Sequence, residues 1–316
     1  MPLYPQEHPD ILEKLIQHVD TTSIADILKR IVGADEQSSM LFVPSYAQWL
    51  SETPLIDLLL SRLGSQHSAD VQANTADILS AIAHTQPTPL ATKLMREDCV
   101  QALFSHALGA SPAAPGADGA AAPAPKPQQA VLVPALDVAI ALVEPRRMGQ
   151  DLSGAGVSLS MSLAGGLDMS GMGGLGGMGG PGGANSAALA EATRRARGEA
   201  VAAIVRHLPS LVALMSSDDI APRQETPFGL LTPALGRARL KVVELMAVLL
   251  RSGEASAEAA LIDSGAIPAC LALFQRYPFN NLLHHHVTGL LLSVIAMIDD
   301  YHGFSQVFGL AVDALQ

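Results

Sequence analysis

Residues 232–287 read TPALGRARLKVVELMAVLLRSGEASAEAALIDSGAIPACLALFQRYPFNNLLHHHV. This stretch predicts a long helix, a short one and a further pair, with their start and stop signals intact. From Leu235 to Leu250, apolar side chains at Leu240, Val243, Leu245, Met246, Val248, Leu249 and Leu250 give a broad buried face, and Arg237, Arg239, Lys241 and Glu244 are expected on the wet remainder. Arg251 supplies a basic last turn and Gly253 a C-terminal stop. ASAEAALIDSG is a short Ala-rich helix ending at Gly265, and AIPACLALF restarts with Pro268 early, where a missing N–H costs little. Ile267, Cys270, Leu271 and Phe274 have the i, i+3, i+4, i+7 spacing of one buried face. Short helix, Gly, Ile-Pro and apolar helix together are the punctuation of an armadillo-like or HEAT-like repeat.

Outward from this stretch the same alternation recurs. Leu55, Leu58, Leu59 and Leu63 reappear as Val100, Leu103, Phe104 and Leu108, each 45 residues further on. That offset falls in the roughly 40 to 47 residue range of HEAT and armadillo units. The fold class expected is all-α, an α-solenoid with Gly/Pro/Ala-rich inserts. Residues 1–109 form amino-terminal repeats, 110–129 a Pro/Ala-rich linker and 130–149 a further helix. A Gly/Met-rich insert occupies 150–185, and 186–316 holds carboxy-terminal repeats of the same stack.

Locally, Asp10 with Glu13 reads as a capping box, and Ser23 with Asp26 opens a second helix whose Ile24, Ile27, Leu28 and Ile31 share a face ended by Gly33. Trp49 reads as a core anchor, and Ser68 as the cap of a helix with Ile78, Leu79 and Ile82 inward. A helix is expected from Ser186 to about His207, a short one over 208–216, a polar connection over 218–232 and a last helix over 280–298.

The 316 residues are 49% hydrophobic and 16% charged, with 19 basic against 30 acidic side chains and a net charge of −11, which disfavours nucleic acid and anionic membrane as partners. Cys99 and Cys270 are expected as buried free thiols. The amino terminus lacks a signal-peptide pattern, and the apolar run near 287–298 is shorter than the roughly 20 residues of a membrane span. A cytoplasmic protein is expected, with the nucleus as a second location.

Candidate chemistry is sparse. Gly171, Gly173 and Gly176 match GxGxxG, but no strand precedes them and no helix follows directly, so no dinucleotide loop is expected. His284, His285 and His286 point about 100° apart on a helix and cannot converge on one ion. Arg146 and Arg147 sit past a helix end, and Arg194, Arg195 and Arg197 read as a solvated face. No GxSxG, HExxH or P-loop occurs. No cofactor, metal or catalytic residue is expected, and the chain is not read as an enzyme.

LGxxRL at Leu235, Gly236, Arg239 and Leu240, then DSGAIPACLALF, then YPFNNLLHHHV with Asn280, Asn281 and His284, resembles the SAPS-domain family. IQHVDTTSIADILKRIV (16–32), the Trp49-Leu50 segment leading to ANTADILSAI (73–82), and ALDVAIALVEPRRMG (135–149) are similar in the same order. The resemblance implies a non-catalytic regulatory or scaffold subunit that binds a protein phosphatase 6-like, type 2A-like Ser/Thr phosphatase catalytic subunit, with further scaffold proteins as additional partners. It also implies a shortened member, because family members carry more helical chain before the first patch and after the last. Arg237, Arg239, Lys241, Asn280, Asn281 and His284 match or flank these motifs and are the candidate partner-binding residues. The alternative is a general armadillo-type adaptor for extended peptides, in transport or assembly.

Overall fold

A computed structural model describes residues 8, 10–34, 44–109, 129–144, 182–217, 224–226, 229–231 and 234–300. The 110–128 part of the linker, nearly all of the Gly/Met-rich insert, Arg146 and Arg147 lie outside them. The described residues hold fourteen helices and one small hairpin. The first seven helices are α1 Asp10–Gln17, α2 Thr22–Ile31, α3 Pro44–Glu52, α4 Leu55–Arg62, α5 Ala69–His84, α6 Pro89–Leu94 and α7 Glu97–Leu108. There follow α8 Gln129–Val143, α9 Gly182–Val205, α10 Leu208–Ser216, strands β1 Gln224–Thr226 and β2 Gly229–Leu231, α11 Arg237–Arg251, α12 Ala255–Asp263, α13 Ala266–Arg276 and α14 Asn281–Asp300. The described residues are all-α apart from the antiparallel β1–β2 pair, in register Gln224 with Leu231 and Thr226 with Gly229. That hairpin corrects the expectation of a plain polar connection over 218–232.

The helix boundaries follow local chemistry. Ser68 caps α5 by accepting from the Val71 N–H, and Thr88 caps α6 from the Ala91 N–H with Pro89 in the first turn. Gly253 and Gly265 take φ of 69° and 70°, which stops α11 and turns the chain between α12 and α13. Three boundary readings change. The Asp10 carboxylate lies inside α1 and accepts from Lys14 Nζ at 2.7 Å, one turn on, and α2 starts after Thr21 instead of Ser23. Helix α9 begins at Gly182, four residues before Ser186. On α2 the buried residues are Ala25 and Leu28, while Ile27 is 44% exposed, so the inward stripe lies to one side of the set expected.

Packing places every third helix in one row: α2 against α5, α5 against α8, α8 against α11 and α11 against α14. Cross-helix polar contacts show that neighbours in the later part of the row run parallel. Asp137 of α8 and Glu144 just past its end meet Lys241 and Arg251 of α11, and Arg239 and Glu244 of α11 meet Tyr277, shortly before α14, and His286, within it. A second tier runs α1, α4, α7, α9, α12 by successive contacts, with α10 on α13 and α3 on α6. The 45-residue offset is explained there, because its two apolar sets lie on α4 and α7, which pack together.

Helix α8 is the centre. It touches α5, α7, α9 and α11, and Val131, Leu132, Ala135, Leu136, Val138, Ala139 and Leu142 are all fully buried. A helix apolar on all sides needs neighbours on all sides. One continuous hydrophobic cluster extends from Leu12 to Val294. Among the described residues no single helix is long and apolar enough to cross a membrane.

Candidate partner-binding site

Two of the motif patches, far apart along the chain, meet at the amino-terminal ends of α11 and α14. Gly236 precedes α11 with φ 79° and ψ 152°, a conformation essentially confined to glycine. From the first turn of α11 the Arg239 side chain reaches back, and its Nη1 donates to the Tyr277 hydroxyl at 3.2 Å. That hydroxyl donates onward to the Ala234 carbonyl at 3.5 Å. The Tyr277 carbonyl contacts His284 Nε2 at 3.1 Å, and the His284 ring stacks on Phe274 at 4.0 Å. Asn280 caps α14, its Oδ1 accepting from the Leu283 N–H at 3.0 Å. Tyr277 is thus the hub that joins the LGxxRL and YPFNN patches.

The candidate residues divide accordingly. Arg237 and Asn281 are exposed at this corner and available to a partner. Asn280 and His284 are half-buried, with polar groups already engaged in the corner itself. Arg239 is fully buried, which corrects its expected place on the wet face of α11. Nearly the whole circumference of α11 is covered, since α8, α10, α12 and α14 all pack on it. Lys241 lies apart from the corner, held 2.6 Å from Asp137 and 2.9 Å from Glu244. Burial opposes its charge, but hydrogen bonds to those two carboxylates outweigh burial and raise its pKa above the ordinary lysine value.

Phe279 is the residue the sequence reading missed. It stands 95% exposed in the turn between Tyr277 and Asn280, and Leu282 beside it is 62% exposed. The available signal was an aromatic directly after Pro278, in a turn with no helical partner to bury it. Exposed large apolar side chains at a polar rim are the composition of a contact surface.

Other candidates are accounted for within the fold. Trp49 is half-buried against the core, its ring 5.4 Å from Tyr46. Arg194 and Arg195 pair with Glu191, and Arg197 donates to Gln86 at 2.8 Å. Cys99 and Cys270 are buried free thiols, both pushed up to about 12, first of all by burial. His286 is held below the ordinary imidazole value, first by burial, with nearby Glu244 opposing. Among the described residues no group of three His, Cys, Asp or Glu side chains could hold a metal ion. Gly171, Gly173 and Gly176 lie outside the described residues.

The described residues thus form a row of packed helices that ends in a polar corner with projecting apolar residues. The family model described as SIT4 phosphatase-associated protein, SAPS, matches residues 3–260, and the chain belongs to that family. It is 24% identical over 304 residues to serine/threonine-protein phosphatase 6 regulatory subunit 1 of Homo sapiens, covering 91% of this chain and 30% of that protein. It is 22% identical over 307 residues to regulatory subunit 3-A of Xenopus laevis, covering 93% of this chain and 31% of the relative. For regulatory subunit 2 of Mus musculus the values are 23% over 297 residues, 90% and 27%. The chain therefore spans about a third of the length of these relatives or less.

Proposed function

We propose that this chain is a non-catalytic regulatory or scaffold subunit that binds a protein phosphatase 6-like catalytic subunit and directs its activity or substrate choice. Membership of the SIT4 phosphatase-associated family over residues 3–260 is the observation that carries this reading. The row α2, α5, α8, α11, α14 supports an armadillo- or HEAT-like solenoid as the scaffold. Stacked helices give an extended, preshaped surface, so little ordering entropy opposes binding. The partner would meet Arg237, Phe279, Asn281 and Leu282 at the α11–α14 corner.

The adaptor reading is weaker for a structural reason. Peptide capture along a helical groove uses free side-chain amides, whereas Asn74 on α5 donates to the Val19 and Asp20 carbonyls at 2.8 and 3.1 Å. Asn280 commits its Oδ1 to the α14 cap, and the exposed Asn281 beside it is a single amide at the corner, not a ladder.

Affinity purification of the chain from its own cells, with mass spectrometry of what accompanies it, tests the proposal. Recovery of a type 2A-like catalytic subunit is expected. A preparation rich in other proteins but without any phosphatase would reject the reading.

A further inference from the structure

Among the described residues Arg239 is the largest fully buried side chain, and none of their carboxylates forms an ion pair with it. Only Nη1 is engaged, with the Tyr277 hydroxyl, while Nε and Nη2 have no hydrogen-bond partner. Leaving a buried charged donor unsatisfied is costly, so a chain optimised for its own stability would not keep an arginine here. The two free donors are adjacent. Nε–H and the Nη2–H beside it form the side edge of the guanidinium, the edge that holds a carboxylate through two parallel hydrogen bonds.

The surroundings favour an anion further. Arg239 lies in the first turn of the 15-residue helix α11, whose N-cap is Gly236 and therefore offers no side-chain acceptor to the first N–H groups. The guanidinium head is directed towards that end. Its partner Tyr277 Oη lies 3.5 Å from the carbonyl of Ala234, two residues before the cap. The Arg237 side chain is exposed at the same end, and α14 starts alongside. Two parallel helix starts and two arginines make this a positive corner in a chain of net charge −11.

We propose that the start of α11 and the free edge of Arg239 form an oxyanion site. Its occupant is a carboxylate side chain from an acidic segment of a partner protein. The Tyr277 hydroxyl orients the guanidinium, and the exposed Phe279 and Leu282 follow Tyr277 in the turn into α14. This site is independent of which protein carries the carboxylate.

The test uses the full chain, with acetate as the carboxylate probe, inorganic phosphate as the tetrahedral alternative and chloride as the ionic-strength control. Thermal unfolding and NMR titration are followed for the wild type, Arg239→Met and Tyr277→Phe. Acetate should raise the wild-type Tm above the chloride control. Arg239→Met should have a higher Tm than wild type in chloride, because it removes an uncompensated charge. It should also weaken acetate binding about tenfold or more, and Tyr277→Phe should keep binding at reduced affinity. Tighter binding of phosphate than of acetate would overturn the assignment to a carboxylate. A fall in Tm of Arg239→Met in chloride would show that Arg239 is satisfied within the chain and would overturn the site. Equal acetate responses in all three proteins would do the same.

Discussion

Lys241 Nζ lies 2.6 Å from Asp137 Oδ1, so the charge that faces out of α11 is neutralised by the one acidic residue within the centre of α8. The same ammonium reaches Glu244 at 2.9 Å. One cation thus separates two carboxylates that would otherwise face each other across the α8–α11 seam. Lys241→Met should destabilise the fold by about 1 kcal/mol, discounted for partial exposure. A double-mutant cycle with Asp137→Asn should recover part of that loss. Independent, additive effects of the two substitutions would refute the coupling.

Gly236 supports the corner through its backbone. At φ 79° and ψ 152° a side chain is strained whatever the space around it. Gly236→Ala should cost about 1–3 kcal/mol in chemical denaturation and shift the start of α11. Full retention of stability would mean that the chain has another route into the helix.

Phe279 offers a separation of folding from binding. At 95% exposure its replacement by serine should change stability by less than about 0.5 kcal/mol. Under the proposed function, recovery of a phosphatase catalytic subunit should nevertheless fall about tenfold or more, because Phe279 stands at the proposed contact. Undiminished recovery by a folded Phe279→Ser protein would move the interface elsewhere on the row.

The pH dependence has a definite sign. His207 stacks on Phe104 at 4.6 Å between centroids, and burial, with the charge of Arg206 beside it, holds its pKa below 6.5; burial lowers His106 likewise. The unfolded chain therefore binds these protons more readily than the folded one. Stability contributed by the neutral rings is present above about pH 6.5 and is lost as pH falls through the lowered folded values. Melting curves from about pH 7.5 to about pH 5 should show a falling Tm, with a shallower fall in His207→Phe. An identical slope in the variant would assign the acid sensitivity to other groups.

Helix α11 shows how far the sequence was legible. Its span, its stop at Gly253 and its apolar residues were readable because periodicity and glycine signals act within a few residues. The expected wet face was too wide. Arg239 is buried and Leu240 half-buried, because helices pack on several sides of α11 and leave only a narrow polar strip at Lys241 and Glu244. The same limit applies to Ile27, whose helical spacing suited the core but whose neighbours left it exposed.

The motif residues were found as a group because they lie in two recognisable patches, yet nothing local could say which would remain free. Arg239 and Tyr277 are 38 residues apart, and only the parallel packing of α11 and α14 brings one to the other. By itself the sequence determined helical character and those caps and stops that act locally, as at Ser68, Gly253 and Gly265, since these depend on side chains within one or two turns. The tertiary structure alone decided that Lys241 parts from Arg239, that Phe279 projects and that a guanidinium is buried with one edge unpaired. Those outcomes depend on which helices surround each position, and that is a property of the assembled row.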